Sequence, residues 1–294
     1  MAKKARRKLA GPIRNIGFLL ATTPEDWDQY IEWFEAALKP DIRVAYLPPE
    51  GARGDPQAIA EAAADLAKYY KVIVTASTQA ALALKTATAT TNAQFVYASV
   101  GDPATSGLER TPGGKYTGGS NKQVELVQRR VDYMLSKPNV FKEKFAVLGD
   151  ATEPAHKKAM DDVFDYLHNT KGKDARKDSI TATTNIVSLL NTLQQDQVKT
   201  LYVCSDLNLT VKSKMLNQEA HQRNMKTMFE FSEHKGKHGG DDFDGESWQP
   251  LFGKAAEYVD KILRGTKAGD LGMFSTRAKK RPSPGKKKPK KKKR

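Results

Sequence analysis

The 294-residue sequence contains a single cysteine, Cys204. That excludes an internal disulfide framework and a cysteine-rich metal site, and leaves Cys204 as a small core residue at a strand end. No apolar run reaches the roughly 18 residues that a membrane-spanning helix needs. Acid is missing from both ends: residues 1–14 and 277–294 hold 18 of the 49 basic residues and no Asp or Glu. The other 31 basic residues face 34 acids, so the net charge of +15 describes two cationic tails on a mildly acidic body. The tails have too little apolar surface to fold and are expected to be disordered. The first apolar run, Ile16–Ala21, has six residues, shorter than the roughly 7–15 of a secretion signal's core. It is expected to be the first core strand, and a chain read without an export signal is expected to stay in the cytoplasm. Catalytic signatures are missing as well. There is no Gly-x-Ser-x-Gly elbow, zinc-protease helix or Walker A loop.

What is present is a rhythm of strand and helix. Strands are expected at Ile16–Ala21, Ile42–Leu47, Val72–Thr75 and Phe95–Val100, then at Phe145–Leu148, Ser179–Thr183, Leu201–Cys204 and Thr227–Phe231. Helices fall between them. In the first, Thr23 and Pro24 make a start, and Trp27, Tyr30, Ile31, Phe34 and Leu38 share one face. A last helix spans about Trp248–Leu263 and ends at Gly265. The rhythm breaks at Gly101–Gly119, which holds six glycines and two prolines and reads as a crossing segment. The expected fold is α/β, with four parallel strands in each of two Rossmann-like lobes. The expected divisions are a basic arm (1–14), a first lobe (15–118), a second lobe (119–232), a crossing segment and helix returning to the first lobe (233–270), and a Lys-rich tail (271–294).

Ligands of parallel α/β sheets sit beyond the carboxyl ends of the strands. The side chains expected there are Thr22, Thr23, Ser77, Thr78, Gln79, Ser99 and Asp102 from the first lobe, and Asp150, Ser205, Asp206 and Ser232 from the second. Ser77 and Thr78 also begin a helix, whose free N–H groups and positive dipole end attract a carboxylate or phosphate. Asp150 or Asp206 could face an ammonium across the gap, and an amino acid offers both ends at once. The same residue types are the commonest helix N-caps, so for each residue capping and binding both stay open.

Several stretches resemble the ABC-transporter substrate-binding proteins with a type I periplasmic-binding fold, in the tryptophan- or tyrosine-uptake-like subgroup. They are Lys71–Ala89 (KVIVTASTQAALALKTATA), Phe95–Leu108, Gly114–Asn121, Phe145–Asp150, Leu201–Leu207 and Ala255–Gly265. The resemblance implies a non-enzymatic protein whose two lobes close on a small solute and pass it to an ABC permease. It also implies a ligand carboxylate at the Ser77/Thr78 helix start and a ligand amine near Asp206. After the last helix, Asp270–Arg281 leads straight into lysines, so fewer closing elements are expected than the family usually has.

Two further features have other readings. His234 and His238 are four residues apart, but Gly236, Gly239 and Gly240 argue against a helix, so a solvated loop is expected and no metal or cofactor. The tail residues Lys286, Lys287, Lys288, Lys290, Lys291, Lys292, Lys293 and Arg294 would attract nucleic acid or an anionic surface in a salt-dependent way. A competing reading is therefore a cytoplasmic nucleic-acid-associated protein anchored by its tails. An enzyme with Asp150 and Asp206 as an acid/base pair is a third. A monomer or dimer is expected.

Overall fold

The computed structural model describes residues 12–48, 51–181, 183–205, 207–231, 239–245 and 247–275. Two parallel sheets organise them. The first runs in the order β11-β5-β4-β3-β1-β2 and the second β10-β9-β8-β6-β7. In the first sheet, β1 (Arg14–Leu19) lies between β2 (Ile42–Leu47) and β3 (Val72–Thr75). Next to β3 come β4 (Gln94–Val100), β5 (Tyr116–Ser120) and β11 (Phe274–Ser275). Helices α1 (Pro24–Ala37) and α8 (Gln249–Leu263) share a core cluster with Ile16, Phe18 and Val74 on one face. Helices α2 (Pro56–Tyr69) and α3 (Thr78–Thr88) pack with Leu19, Ile73 and Phe95 on the other. This is why the strands read as nearly unbroken apolar runs: both faces are covered.

The second sheet repeats the plan. Its strands are β6 (Phe145–Gly149), β7 (Ala175–Ser179), β8 (Thr200–Val203), β9 (Lys226–Phe229) and β10 (Asp242–Phe243). Alternation along β6 sends Phe145 and Val147 into one core with α4 (Val127–Leu135) and α5 (Pro154–Asp165). It sends Ala146 and Leu148 into the other, with α6 (Ile186–Gln195) and α7 (Leu207–Gln222). Four of the described helices begin with Pro in their first turn, after Thr23, Asp55, Glu153 and Trp248, of which Asp55 and Glu153 cap with their side chains. Proline lacks only an N–H that would be unpaired there anyway.

The sheets have six and five strands, not four and four. The added strand β5 lies inside the expected crossing segment, and the expected lobe boundary at 118/119 falls within it. Its glycines have a packing reason. A Cβ on Gly118 would lie 2.2 Å from the Tyr97 ring and 2.3 Å from the Tyr97 carbonyl, and one on Gly119 would lie 2.4 Å from the Ala98 carbonyl. The glycines thus permit a close strand approach. β7 is Ala175–Ser179 rather than 179–183. It is a charged edge strand paired with β6 alone, and Ile180 then enters a turn of threonines. β11 pairs with β5 inside the segment expected to be tail, so an extra strand does follow the last helix, in the first sheet.

Candidate functional site

The carboxyl ends of both sheets face one cleft. It is a narrow slot with a cavity volume of about 40 Å³. First-lobe residues Trp27, Ser77, Thr78, Ser99 and Gly101 line it, with Asn121 and Gln123 from the chain leaving β5. His156 and Ser205 line it from the second lobe, and Trp248 from the segment entering α8. None of these side chains carries a fixed charge.

The turn from β3 into α3 shapes the first-lobe wall. Ser77 has φ 80° and ψ 151°, a conformation that is essentially reserved for glycine. Its N–H donates to the Ser99 carbonyl at 3.0 Å, and its Oγ accepts from the Ala80 N–H at 3.3 Å. The sharp turn points the start of α3 at the cleft. Thr78 Oγ1 is buried there without a hydrogen bond, as is Trp27 Nε1. Beside them Asn121 Nδ2 donates to Ser99 Oγ at 3.2 Å, and Asn121 Oδ1 accepts from the Gln123 N–H at 3.2 Å. The apolar side of the slot is a ring cluster. Tyr30 lies 5.2 Å from both Trp27 and Trp248, and Phe231 lies 4.9 Å from Trp248.

On the second-lobe wall, Glu153 caps α5 by accepting the His156 N–H at 2.9 Å. Its Oε2 also lies 3.4 Å from His156 Nδ1, which makes no hydrogen bond. Burial pushes the imidazole below its ordinary value of 6.5, against the opposing pull of Glu153 and Asp150. The Ser205 N–H donates to Glu230 Oε2 at 2.8 Å, and Glu230 is wholly buried. Burial pushes the Glu230 carboxyl up, and Arg130 pulls it back.

Of the residues expected from sequence, the structure brings Ser77, Thr78, Ser99 and Ser205 together in this cleft. Thr22 is buried nearby with an unbonded hydroxyl but is not among the lining residues, and the same holds for the Gln79 carbonyl oxygen. Thr23 Oγ1 donates to Asp26 at 2.9 Å. Asp102 accepts from the Ala104 and Thr105 N–H groups and from Thr105 Oγ1, a local turn. Asp150 likewise accepts from the Thr152 N–H at 2.8 Å and from its hydroxyl. Asp206, Ser232, His234, His238, Lys286–Lys288 and Lys290–Arg294 lie outside the described residues. The sequence reading missed Trp27, Gly101, Asn121, Gln123, His156 and Trp248 as lining residues. Asn121 and Gln123 follow a strand it did not see, and the tryptophans sit at helix starts where packing explains them equally well. Among the described residues no group of His, Cys, Asp and Glu could hold a metal, and no helix is long and apolar enough to cross a membrane.

Comparisons with known proteins place this geometry. In a search of curated proteins, none matches the chain. Among solved structures, the ABC domain from Streptococcus pneumonia in complex with L-Trp is similar with a TM-score of 0.75 and 17% identity. The match covers 90% of this chain and 89% of that one. A conserved domain protein from Vibrio cholerae gives a TM-score of 0.73 and 18% identity over 91% and 90% of the two chains. An ABC transporter solute-binding protein from Burkholderia graminis, in complex with D-arabinose, gives 0.64 and 11% identity over 90% and 92%. Identities this low show the shared fold of two α/β lobes. The model of the family described as ABC transporter substrate binding protein matches residues 41–280. That match gives no support to the expectation of a cytoplasmic protein. With a match over most of its length, the chain belongs to the ABC transporter substrate-binding protein family.

Proposed function

We propose that the cleft takes a small, amino-acid-like zwitterion with a flat apolar part, and that the lobes close on it before it passes to an ABC permease. The observation that carries this reading is the set of buried, unbonded polar atoms on both walls: Thr78 Oγ1 and Trp27 Nε1 on one, His156 Nδ1 on the other. Buried polar groups are nearly always paired, so an unpaired set around a slot indicates a missing partner. The start of α3 offers Thr78 Oγ1, free N–H groups and a positive dipole end to a carboxylate. Ser205 and Gln123 offer acceptors to the ammonium, and Asp206, next in the chain after Ser205, is assigned its counter-charge. Trp27 and Trp248 bound the apolar end. The similar structures hold ligands as different as L-Trp and D-arabinose, so the lining, rather than the fold, argues for an amino acid. The family is a binding rather than a catalytic one, and no reaction is proposed.

A thermal-shift screen of the twenty L-amino acids, with D-arabinose and 3,4-dihydroxybenzoate as competitors, tests this. A solute at 100 times its dissociation constant should stabilise the fold by about 2.7 kcal/mol. It should also shift the emission of Trp27 and Trp248. Thr78→Val removes one hydrogen bond to a charged group, about 1.5–3 kcal/mol, and should weaken binding roughly 10–100-fold. A shift with the sugar or the benzoate and with no amino acid would overturn the reading.

A further inference from the structure

Among the described residues the chain crosses between the lobes twice, at 121–126 between β5 and α4 and at 244–245 and 247–248 between β10 and α8. One side chain touches both crossings. Arg130, on α4, is wholly buried. Its Nη1 donates to the Gln123 carbonyl at 2.9 Å on the first crossing, and its Nε donates to the Asp244 carbonyl at 2.9 Å on the second. The guanidinium also lies 5.2 Å from the Phe231 ring, which packs against Trp248 of the cleft. Its counter-ion is Glu230, with Oε1 3.5 Å from Arg130 Nη1. Glu230 accepts the Tyr202 hydroxyl at 3.2 Å and, through its other oxygen, the Ser205 N–H. The second crossing is pressed onto the same residue: a Cβ on Gly245 would lie 1.7 Å from the Glu230 carbonyl oxygen. The pair thus holds two cleft residues by their backbones, Gln123 through Arg130 and Ser205 through Glu230.

Stability alone does not account for such a pair. Removing two charges from water costs several kcal/mol per ion, and well-packed neutral replacements are often as stable or more so. Arg130 is also under-used as a stabiliser, because its Nη2 is buried without a hydrogen bond. What the pair supplies is geometry. The planar fork of a guanidinium can grip carbonyls on two separate segments at fixed angles, and an ammonium cannot. We infer that Arg130 and Glu230 are positioning residues that fix the angle between the lobes, and with it the width of the cleft.

The test needs no solute. Spin labels go on Gln57→Cys at the start of α2 and on Val187→Cys at the start of α6, both exposed positions on opposite lobes, while buried Cys204 stays unlabelled. Pulsed electron paramagnetic resonance on the full chain then reads the interlobe distance. Arg130→Lys keeps the charge and loses the fork; Arg130→Met with Glu230→Gln removes both charges at similar volume. Both variants are expected to shift or broaden the distance distribution, and the double variant to do so without a lower melting temperature. A role confined to stability would instead lower the melting temperature and leave the distribution of the folded fraction unmoved. Identical distributions in parent and Arg130→Lys, narrow or broad, would overturn the inference even if the double variant failed to fold.

Discussion

Ser77 holds a backbone conformation that costs an L-residue on the order of 1–3 kcal/mol. That cost and its capping bond to Ala80 act in opposite directions on stability. Ser77→Gly should relieve the strain and leave the fold as stable or more so in urea denaturation. Ser77→Ala should keep the strain, lose the cap and destabilise by about 1 kcal/mol. A glycine variant less stable than the alanine variant would show that the turn is not strained. His156 gives a second expectation. The folded protein holds its imidazole neutral more strongly than the unfolded chain does, because burial lowers its pKa from the ordinary 6.5. Stability is therefore complete above pH 6.5 and declines as pH falls through that value. A scan of melting temperature against pH should show this decline, and His156→Gln should flatten it. At this scale the sequence was ambiguous for a physical reason. Ser77, Thr23, Asp102 and Asp150 all sit where a hydroxyl or carboxylate can cap a turn or meet a ligand, and only coordinates separate Ser77 at the cleft wall from Asp102 tied to Thr105.

The elements divide by how much apolar signal they carry. Val72–Thr75 is buried on both faces and was legible as a strand to the residue. β5 was not, because its sequence YTGGS answers to the close approach of Tyr97 and Ala98 rather than to burial of its own side chains. β7 reads ARKDS, an edge strand dressed in charge, and β10 and β11 are two residues each. The helices were legible by their faces, as in α2 with Ile59, Ala62, Ala63 and Leu66 inward. The missed strand hid Asn121 and Gln123 in turn, since a site at strand ends is found only after the strands. Two glycine substitutions test this account with opposite signs. Gly118→Ala forces a methyl into the Tyr97 ring and carbonyl and should cost about 3 kcal/mol or more. Gly253→Ala, in the middle of α8 with nothing within 4 Å of the new Cβ, should gain about 0.5–1 kcal/mol. Equal effects in urea denaturation would remove the packing explanation for β5.

For the whole molecule the question is whether the lobes act as one. Each carries its own pair of core clusters, so each could in principle open alone. Two things join them. The ring cluster of the first lobe includes Phe231, which follows β9 of the second, and Trp248, which follows β10. The cleft wall takes Thr78 from one lobe and His156 and Ser205 from the other. A solute that fills the slot touches both walls, and its binding energy is lost if either lobe opens. Linkage then requires that it stabilise both to a similar extent. Hydrogen–deuterium exchange of the full chain, with and without a saturating amino acid from the thermal screen, should slow the amides at the start of α3 and those of His156 and Ser205 together. The protection should rise with solute concentration in parallel at the two places. Slowing confined to α3 would mean that the solute rests on the first lobe alone, and closure across the cleft would then have no energetic source in the ligand.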